Sequence, residues 1–164
     1  MVVVTVFPVA DLAAQVAGDA LQVETLLPPR ASVHTWEATP GQIRSMGRAA
    51  GYVTVGGGLD GWLEDLGADT PGMATLRLTD GIVLHRGGGG HEGDGTGDPH
   101  VWLDPILVRE ELLPRLTDFL VRLVAPGQAA ALRSRSRALA DSLTALDAEI
   151  RSRLDDLPRR DFIA

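Results

Sequence analysis

Short runs of β-branched and aliphatic residues alternate with helical stretches over the first two-thirds of the chain, and this alternation restricts the fold more than any other feature. Val2 to Phe7, closed by Pro8, reads as a buried strand, and Asp11 to Gly18 as a short helix ending on glycine. Leu21 to Leu27 is a second strand-like run, stopped by Pro28 and Pro29. Thr39 followed by Pro40 suits an N-cap and first helical position for a helix through Ala50, and Tyr52 to Val55 predicts a third strand. Leu59 to Leu66 predicts a short helix, and residues 74–84 hold a fourth strand. Strands alternating with helices imply an α/β fold, a small parallel β-sheet flanked by helices.

The last third is helical. One helix is predicted from Pro105 to about Val124, and a longer one from about residue 127 to 157. The apolar positions of the longer helix, Leu132, Leu139, Leu143, Leu146, Ile150, Leu154 and Leu157, keep spacings of three, four or seven and so form one stripe. At the rise of an α-helix it is roughly 45 Å long, more than a domain of this size needs, which suits a helix linking two lobes. The expected organisation is a lobe over residues 1–125, a linking helix over 126–160, and in "DFIA", residues 161–164, the start of a strand of a second lobe. The glycine-rich, acidic "RGGGGHEGDGTGD" cannot pack a core.

Composition removes several kinds of chemistry. All 15 basic residues are arginine, so a Walker lysine, a Schiff-base lysine and a lysine base are excluded. Cysteine is absent, which excludes thiolate nucleophiles, disulfides and cysteine-ligated metal. A net charge of −7 argues against nucleic acid, which needs clustered cations. No apolar run approaches the ~18 residues of a membrane span. The apolar N-terminus lacks a basic leader and meets Pro8 and Asp11, so it reads as a strand rather than a signal segment.

The candidate ligands are therefore His34, His85, His91 and His100, imidazoles that suit Zn²⁺, or Mn²⁺ if oxygen donors join them. His34 and His100 each fall in a loop beyond a predicted strand, and such loops gather at one edge of a parallel sheet, where ligands bind. Pro99 restricts the backbone before His100, Trp102 and Leu103 anchor the segment after it, and either Asp98 or Asp104 can accept the proton of the ring nitrogen that does not bind metal. His85 and His91 border a loop too flexible for more than weak recruitment. "GGGLDG", with Gly56, Gly58 and Gly61, matches a dinucleotide loop literally, yet it follows the third strand and Asp60 would oppose a pyrophosphate, so it reads as a tight turn.

Taken in order, "VVTVFPVADLAAQVAGD", "VETLLPPRASVHTWEATPGQI", "GGGLDGWLEDL", "DPHVWLDP" and "LADSLTALDAEIRSRL" resemble the metal-specific substrate-binding proteins of ABC transporters, the zinc and manganese uptake family. The resemblance implies one lobe of a bilobed periplasmic metal-binding protein followed by a long linking α-helix. It further implies capture of zinc, or alternatively manganese, for delivery to a permease, in the periplasm or outside the cytoplasm on a membrane anchor, with no enzymatic activity. By the motif match His34 and His100 take the places of the two metal-ligating histidines of the N-terminal lobe. The glycine-rich loop takes the place of a histidine-rich loop, reduced here to His85 and His91. Val33 stands where many relatives carry proline or an acid.

Two imidazoles leave a tetrahedral ion half coordinated, so affinity is expected below that of a closed site. An uncovered apolar stripe on the long helix is expected to favour self-association. Two other functions use the same residues. A metal-dependent hydrolase would hold a catalytic ion on these histidines, although no H-E-x-x-H or comparable general base is present. A nucleotide-binding regulatory domain would use Gly56, Gly58 and Gly61.

Overall fold

The computed structural model describes residues 1–33, 35–63, 72–85, 97–155 and 157, with Ser45 described by its backbone alone. Four strands, β1 (Val2–Val4), β2 (Val23–Thr25), β3 (Gly51–Thr54) and β4 (Ala74–Arg77), form one parallel sheet in the order β2-β1-β3-β4. Val2, Val3 and Val4 pair with Val23, Glu24 and Thr25 on one side and with Gly51, Tyr52 and Val53 on the other. All three valines are fully buried, as a central parallel strand covered on both faces requires. The chain leaves β1 towards β2 but returns on its other flank at β3, so the strand order reverses between β1 and β3. Loops at the carboxyl edge beside such a reversal are where open α/β sheets bind ligands.

The first crossover differs from the reading of the sequence. The strand ends at Val4 and α1 (Phe7–Ala17) begins at once, with Pro8 in its first turn. A proline there loses no hydrogen bond and its fixed φ suits the helix, so Pro8 starts the helix instead of only ending the strand. Val9, Ala10, Ala13, Val16 and Ala17 bury the face of α1 that meets the sheet.

After β2, Thr39 and Gln42 form a capping box. The Thr39 N–H donates to Gln42 Oε1 at 3.0 Å, and the Gln42 N–H donates to Thr39 Oγ1 at 3.4 Å. This opens α2 (Pro40–Met46), which stops short of the expected Ala50. Gln42 Nε2 also donates to the Leu26 carbonyl at 3.0 Å, tying α2 to the end of β2. Leu26, Met46, Tyr52, Leu63 and Val3 make a small core on this face of the sheet, while the larger core on the other face gathers α1 and the later helices.

The expected helix from Pro105 is present as a continuous rod. α3 (Pro105–Leu107) passes through a π-helical stretch, Val108–Leu112, into α4 (Leu113–Arg122). A 3₁₀ turn at Pro126–Gln128 then leads to α5 (Ala129–Asp155), 27 residues or about 40 Å long.

Polar contacts fasten the first half of α5 to the body. The Arg135 guanidinium donates to the Val16 and Ala17 carbonyls at 2.8 and 2.6 Å, satisfying the C-terminus of α1. The Ser136 and Thr117 hydroxyls bond at 2.8 Å, Arg133 pairs with Asp118 at 2.8 Å, and Arg109 reaches Thr144 at 3.0 Å. Further along, the ion pairs run within the helix, Arg151 to Asp147 at 2.8 Å and Arg153 to Glu149 at 2.6 Å. The bond and charge of Asp147, with Asp155 and Asp104 adding, raise the Arg151 pKa above its ordinary value.

The apolar stripe is divided in the same way. Leu132 is fully buried and Leu139 and Leu143 pack half-buried against the main core, whereas Leu146, Ile150 and Leu157 are exposed. The expected strand at 161–164 and residues 64–66 of the predicted helix from Leu59 lie outside the described residues.

Candidate metal centre

Strand β4 ends at Arg77, and the chain then runs along the carboxyl edge of the sheet to His85. It meets itself again at Gly97 and Asp98, where the Asp98 N–H donates to the His85 carbonyl at 2.7 Å. The approach is close enough to demand glycine at 97, because a Cβ there would sit 2.5 Å from the Leu84 Cβ and 2.7 Å from the His85 carbonyl oxygen. From this junction the chain enters Pro99 and His100. Val101–Leu103 forms the next turn, a 3₁₀ turn, with Val101 buried and Trp102 packed against the main core.

His100 is held on three sides. Its backbone N–H donates to Asp98 Oδ1 at 3.0 Å, its ring Nδ1 lies 2.6 Å from the same oxygen, and its ring meets Trp102 edge-on with centroids 5.2 Å apart. The side chain stays 41% exposed, so an ion from solvent can reach it. Of the two flanking acids, Asp98 is the ring's partner. Asp104 is engaged elsewhere, since its Oδ1 accepts from Ile106 N–H at 2.8 Å and Leu107 N–H at 3.1 Å, capping α3.

His34 lies outside the described residues, and its neighbours are well anchored. Val33 packs against the same main core as Val101 and Trp102. The N–H groups of Thr35 and Trp36 both donate to the Ser32 carbonyl, at 3.2 and 3.0 Å, and Trp36 meets Trp62 edge-on at 4.9 Å in the smaller core. The loop after β2 is therefore pinned to the core immediately before position 34 and two residues after it. Of the two weaker candidates, His85 is exposed and contributes its carbonyl to the junction described above, while His91 lies outside the described residues. Among the described residues no three histidines or carboxylates come together in a group able to hold a metal ion.

The glycine-rich turn after β3 is a structural brace. The Asp60 carboxylate accepts from Val55 N–H at 2.7 Å and from Gly56 N–H at 2.8 Å, so it takes two backbone donors of the turn and sets a carboxylate where a phosphate would have to approach. Gly56 has φ +81°, a left-handed conformation that its position against Thr79 and Arg77 reserves for glycine. Gly57 bears on the His100 segment in a way the sequence reading missed. A Cβ there would stand 2.8 Å from Leu84 and 3.3 Å from Pro99, so this turn forms the backing of the His100 segment. A repeated glycine beyond a strand signals a tight turn, as the sequence reading had it, but does not say which segment packs against it. A separate cleft of about 590 Å³ against β3 and β4, lined by Thr54, Thr75, Arg77 and Arg115 among others, has no histidine among its described lining residues.

The chain is 28% identical over 163 residues to the iron-binding protein YfeA of Yersinia pestis, matching 95% of this chain and 50% of that protein. It is 26% identical over 173 residues to the zinc-binding lipoprotein AdcA of Streptococcus pneumoniae, matching 99% of this chain and 34% of the other. The chain thus spans at most about half the length of these curated relatives. Among solved structures, a zinc-bound ZnuA deletion mutant superposes with a TM-score of 0.87 at 28% identity, covering 98% of this chain and 60% of that one. Zinc-bound AdcA from Streptococcus pneumoniae superposes with a TM-score of 0.83 at 26% identity, over 98% of this chain and 34% of the other. No described helix is long and apolar enough to cross a membrane. The family model for ZnuA, the periplasmic zinc-uptake complex component A, matches residues 2–164, and the chain belongs to this family of metal substrate-binding proteins of ABC transporters.

Proposed function

We propose that this chain captures a divalent transition metal ion outside the cytoplasm through the imidazoles of His34 and His100, for delivery to an ABC permease, without catalysing a reaction on it. The observation that carries the reading is His100: an exposed imidazole whose Nδ1 lies 2.6 Å from Asp98, in a segment anchored by Val101 and Trp102 at the carboxyl edge of the sheet. A carboxylate behind a histidine that keeps its other nitrogen for an ion is the usual support of a metal-binding imidazole. His34 joins it by the motif match, in a loop beyond β2 whose Val33 packs on the main core, as Trp102 beside His100 does. Zinc is favoured over manganese because imidazole donors suit it better, and zinc is the metal named for the bound ZnuA and AdcA structures. The lobe of residues 1–125 supplies these ligands, the helix over 126–160 links it onward, and His85 and His91 recruit ions weakly.

Calorimetric titration with Zn²⁺ tests the pair. His34→Ala and His100→Ala are each expected to weaken binding by about 100-fold or more, since loss of an outer-shell partner alone costs roughly 10- to 100-fold. Wild-type affinity in both variants refutes the site.

The exposed Leu146, 46% accessible, and Ile150, 39% accessible, further support self-association through the distal half of α5. Sedimentation is expected to show a concentration-dependent dimer that Leu146→Glu with Ile150→Glu dissolves. A wild-type monomer at every concentration rules this association out.

A further inference from the structure

Asp98 joins His100 to the chain at His85. One carboxylate oxygen, Oδ1, accepts the backbone N–H of His100 at 3.0 Å and stands 2.6 Å from the ring nitrogen Nδ1 of the same residue. Its own N–H donates to the His85 carbonyl at 2.7 Å. The residue between is Pro99, which has no N–H to compete for the carboxylate and whose ring fixes φ. Asp98, Pro99 and His100 therefore close a small ring through Oδ1, and that ring is tied to the chain at His85.

The chemistry of the 2.6 Å contact sets where the imidazole proton resides. A carboxylate only accepts, so Nδ1 must donate, and in the neutral ring the lone pair is then on Nε2. Left in water, an imidazole prefers the opposite tautomer, with its proton on Nε2, the nitrogen that would have to bind an ion. The edge-on packing of Trp102 holds the ring from a second direction.

We propose that Asp98 is a positioning residue for metal capture: it locks His100 in the Nδ1–H tautomer with Nε2 as the donor before any ion arrives, and ties that orientation to the backbone of His85. The proposal rests on the reading that His100 binds the ion. Asp104 has no share in it, because its Oδ1 is engaged by two N–H groups at the start of α3.

The test combines two readouts on the metal-free and zinc-titrated protein. Long-range proton–nitrogen NMR of histidine-labelled protein, recorded over a series of pH values so that the neutral form of each ring is identified by its own spectrum, reads the tautomer of each ring; His100→Gln identifies the signals of His100. Wild type is expected to show His100 protonated on Nδ1. Asp98→Ala is expected to move it to the Nε2–H form and to weaken zinc binding by about 10- to 100-fold, the range for loss of a histidine's outer partner. Asp98→Asn retains an accepting oxygen and is expected to preserve much of both, which guards against a folding defect in the alanine variant.

A wild-type His100 protonated on Nε2 overturns the proposal, as does an unchanged tautomer in Asp98→Ala. Zinc binding lost in His100→Ala but untouched in Asp98→Ala overturns it while the capture reading stands. Zinc binding untouched in His34→Ala, His100→Ala and Asp98→Ala alike overturns the capture reading, and the positioning role falls with it.

Discussion

Asp60→Ala is expected to lower the free energy of unfolding by about 4 kcal/mol, read as a fall in the urea midpoint with an unchanged slope. The side chain is fully buried and its two oxygens accept from Val55 N–H and Gly56 N–H at 2.7 and 2.8 Å. Hydrogen bonds to charged groups contribute roughly 1.5–3 kcal/mol each, and alanine leaves both donors buried and unsatisfied. The effect is expected to extend to the candidate metal centre, because the turn that Asp60 braces presents Gly57 to Leu84 and Pro99, the residue before His100. Asp60→Ala is accordingly expected to weaken zinc binding as well as folding, although its carboxylate is committed to the backbone. A stability loss below about 1 kcal/mol shows that the turn holds its shape without the carboxylate.

Leu132→Ala is expected to cost about 3 kcal/mol, within the roughly 2–5 kcal/mol found when a leucine is removed from a closed core. Leu132 is fully buried at the start of α5, among α1 and α4 residues that include Val16, Leu116 and Leu120 of the same cluster. Its loss also loosens the seat on which Arg135 reaches the Val16 and Ala17 carbonyls. Thermal melting reads the total effect, and hydrogen exchange along α5 is expected to show the helix opening first. Leu146→Ala, at a 46% exposed position of the same stripe, is the control and is expected to change stability by less than about 1 kcal/mol. Equal losses in the two variants would mean that the distal half of α5 is packed as firmly as its start.

The contrast between Leu132 and Leu146 marks how far periodicity could be read. Spacings of three, four and seven state which side of a helix is apolar, but carry no information on where along its length a neighbour ends. Packing decides that: the polar fastenings to the body run from Arg133 to Thr144 and give way to ion pairs internal to the helix. Pro8 was misread for a related reason. A proline after a β-branched run is compatible both with the end of a strand and with the first turn of a helix, and the burial of Val9, Ala10 and Ala13 against the sheet selects the second.

At the candidate metal centre the sequence was most informative where covalent order itself constrains geometry. The segment from Asp98 to Asp104 places two acids, a proline and an aromatic residue around His100, which was enough to predict a restrained imidazole. It left the choice between Asp98 and Asp104 open, since both lie within reach of the ring along the chain. The fold separates them, because the start of α3 at Pro105 leaves the Ile106 and Leu107 N–H groups in need of an acceptor, and Asp104 is the adjacent one. The glycines at 56–58 mark a tight turn in the sequence, but that Gly57 backs this segment, far later in the chain, is decided by the fold alone.

The sequence by itself determined the alternation of strands and helices, the parallel sheet this implies, the absence of cysteine and lysine chemistry, and the restraint on His100. These come from local pattern and composition, which each residue carries wherever it is folded. Only the tertiary structure decided that Asp60 serves the backbone rather than repels a nucleotide, that Asp98 serves the imidazole and Asp104 a helix, and that α5 is docked over its first half. Each of those is a competition for a hydrogen-bond partner or a packing surface, and its outcome depends on groups distant in sequence that the fold alone brings within reach.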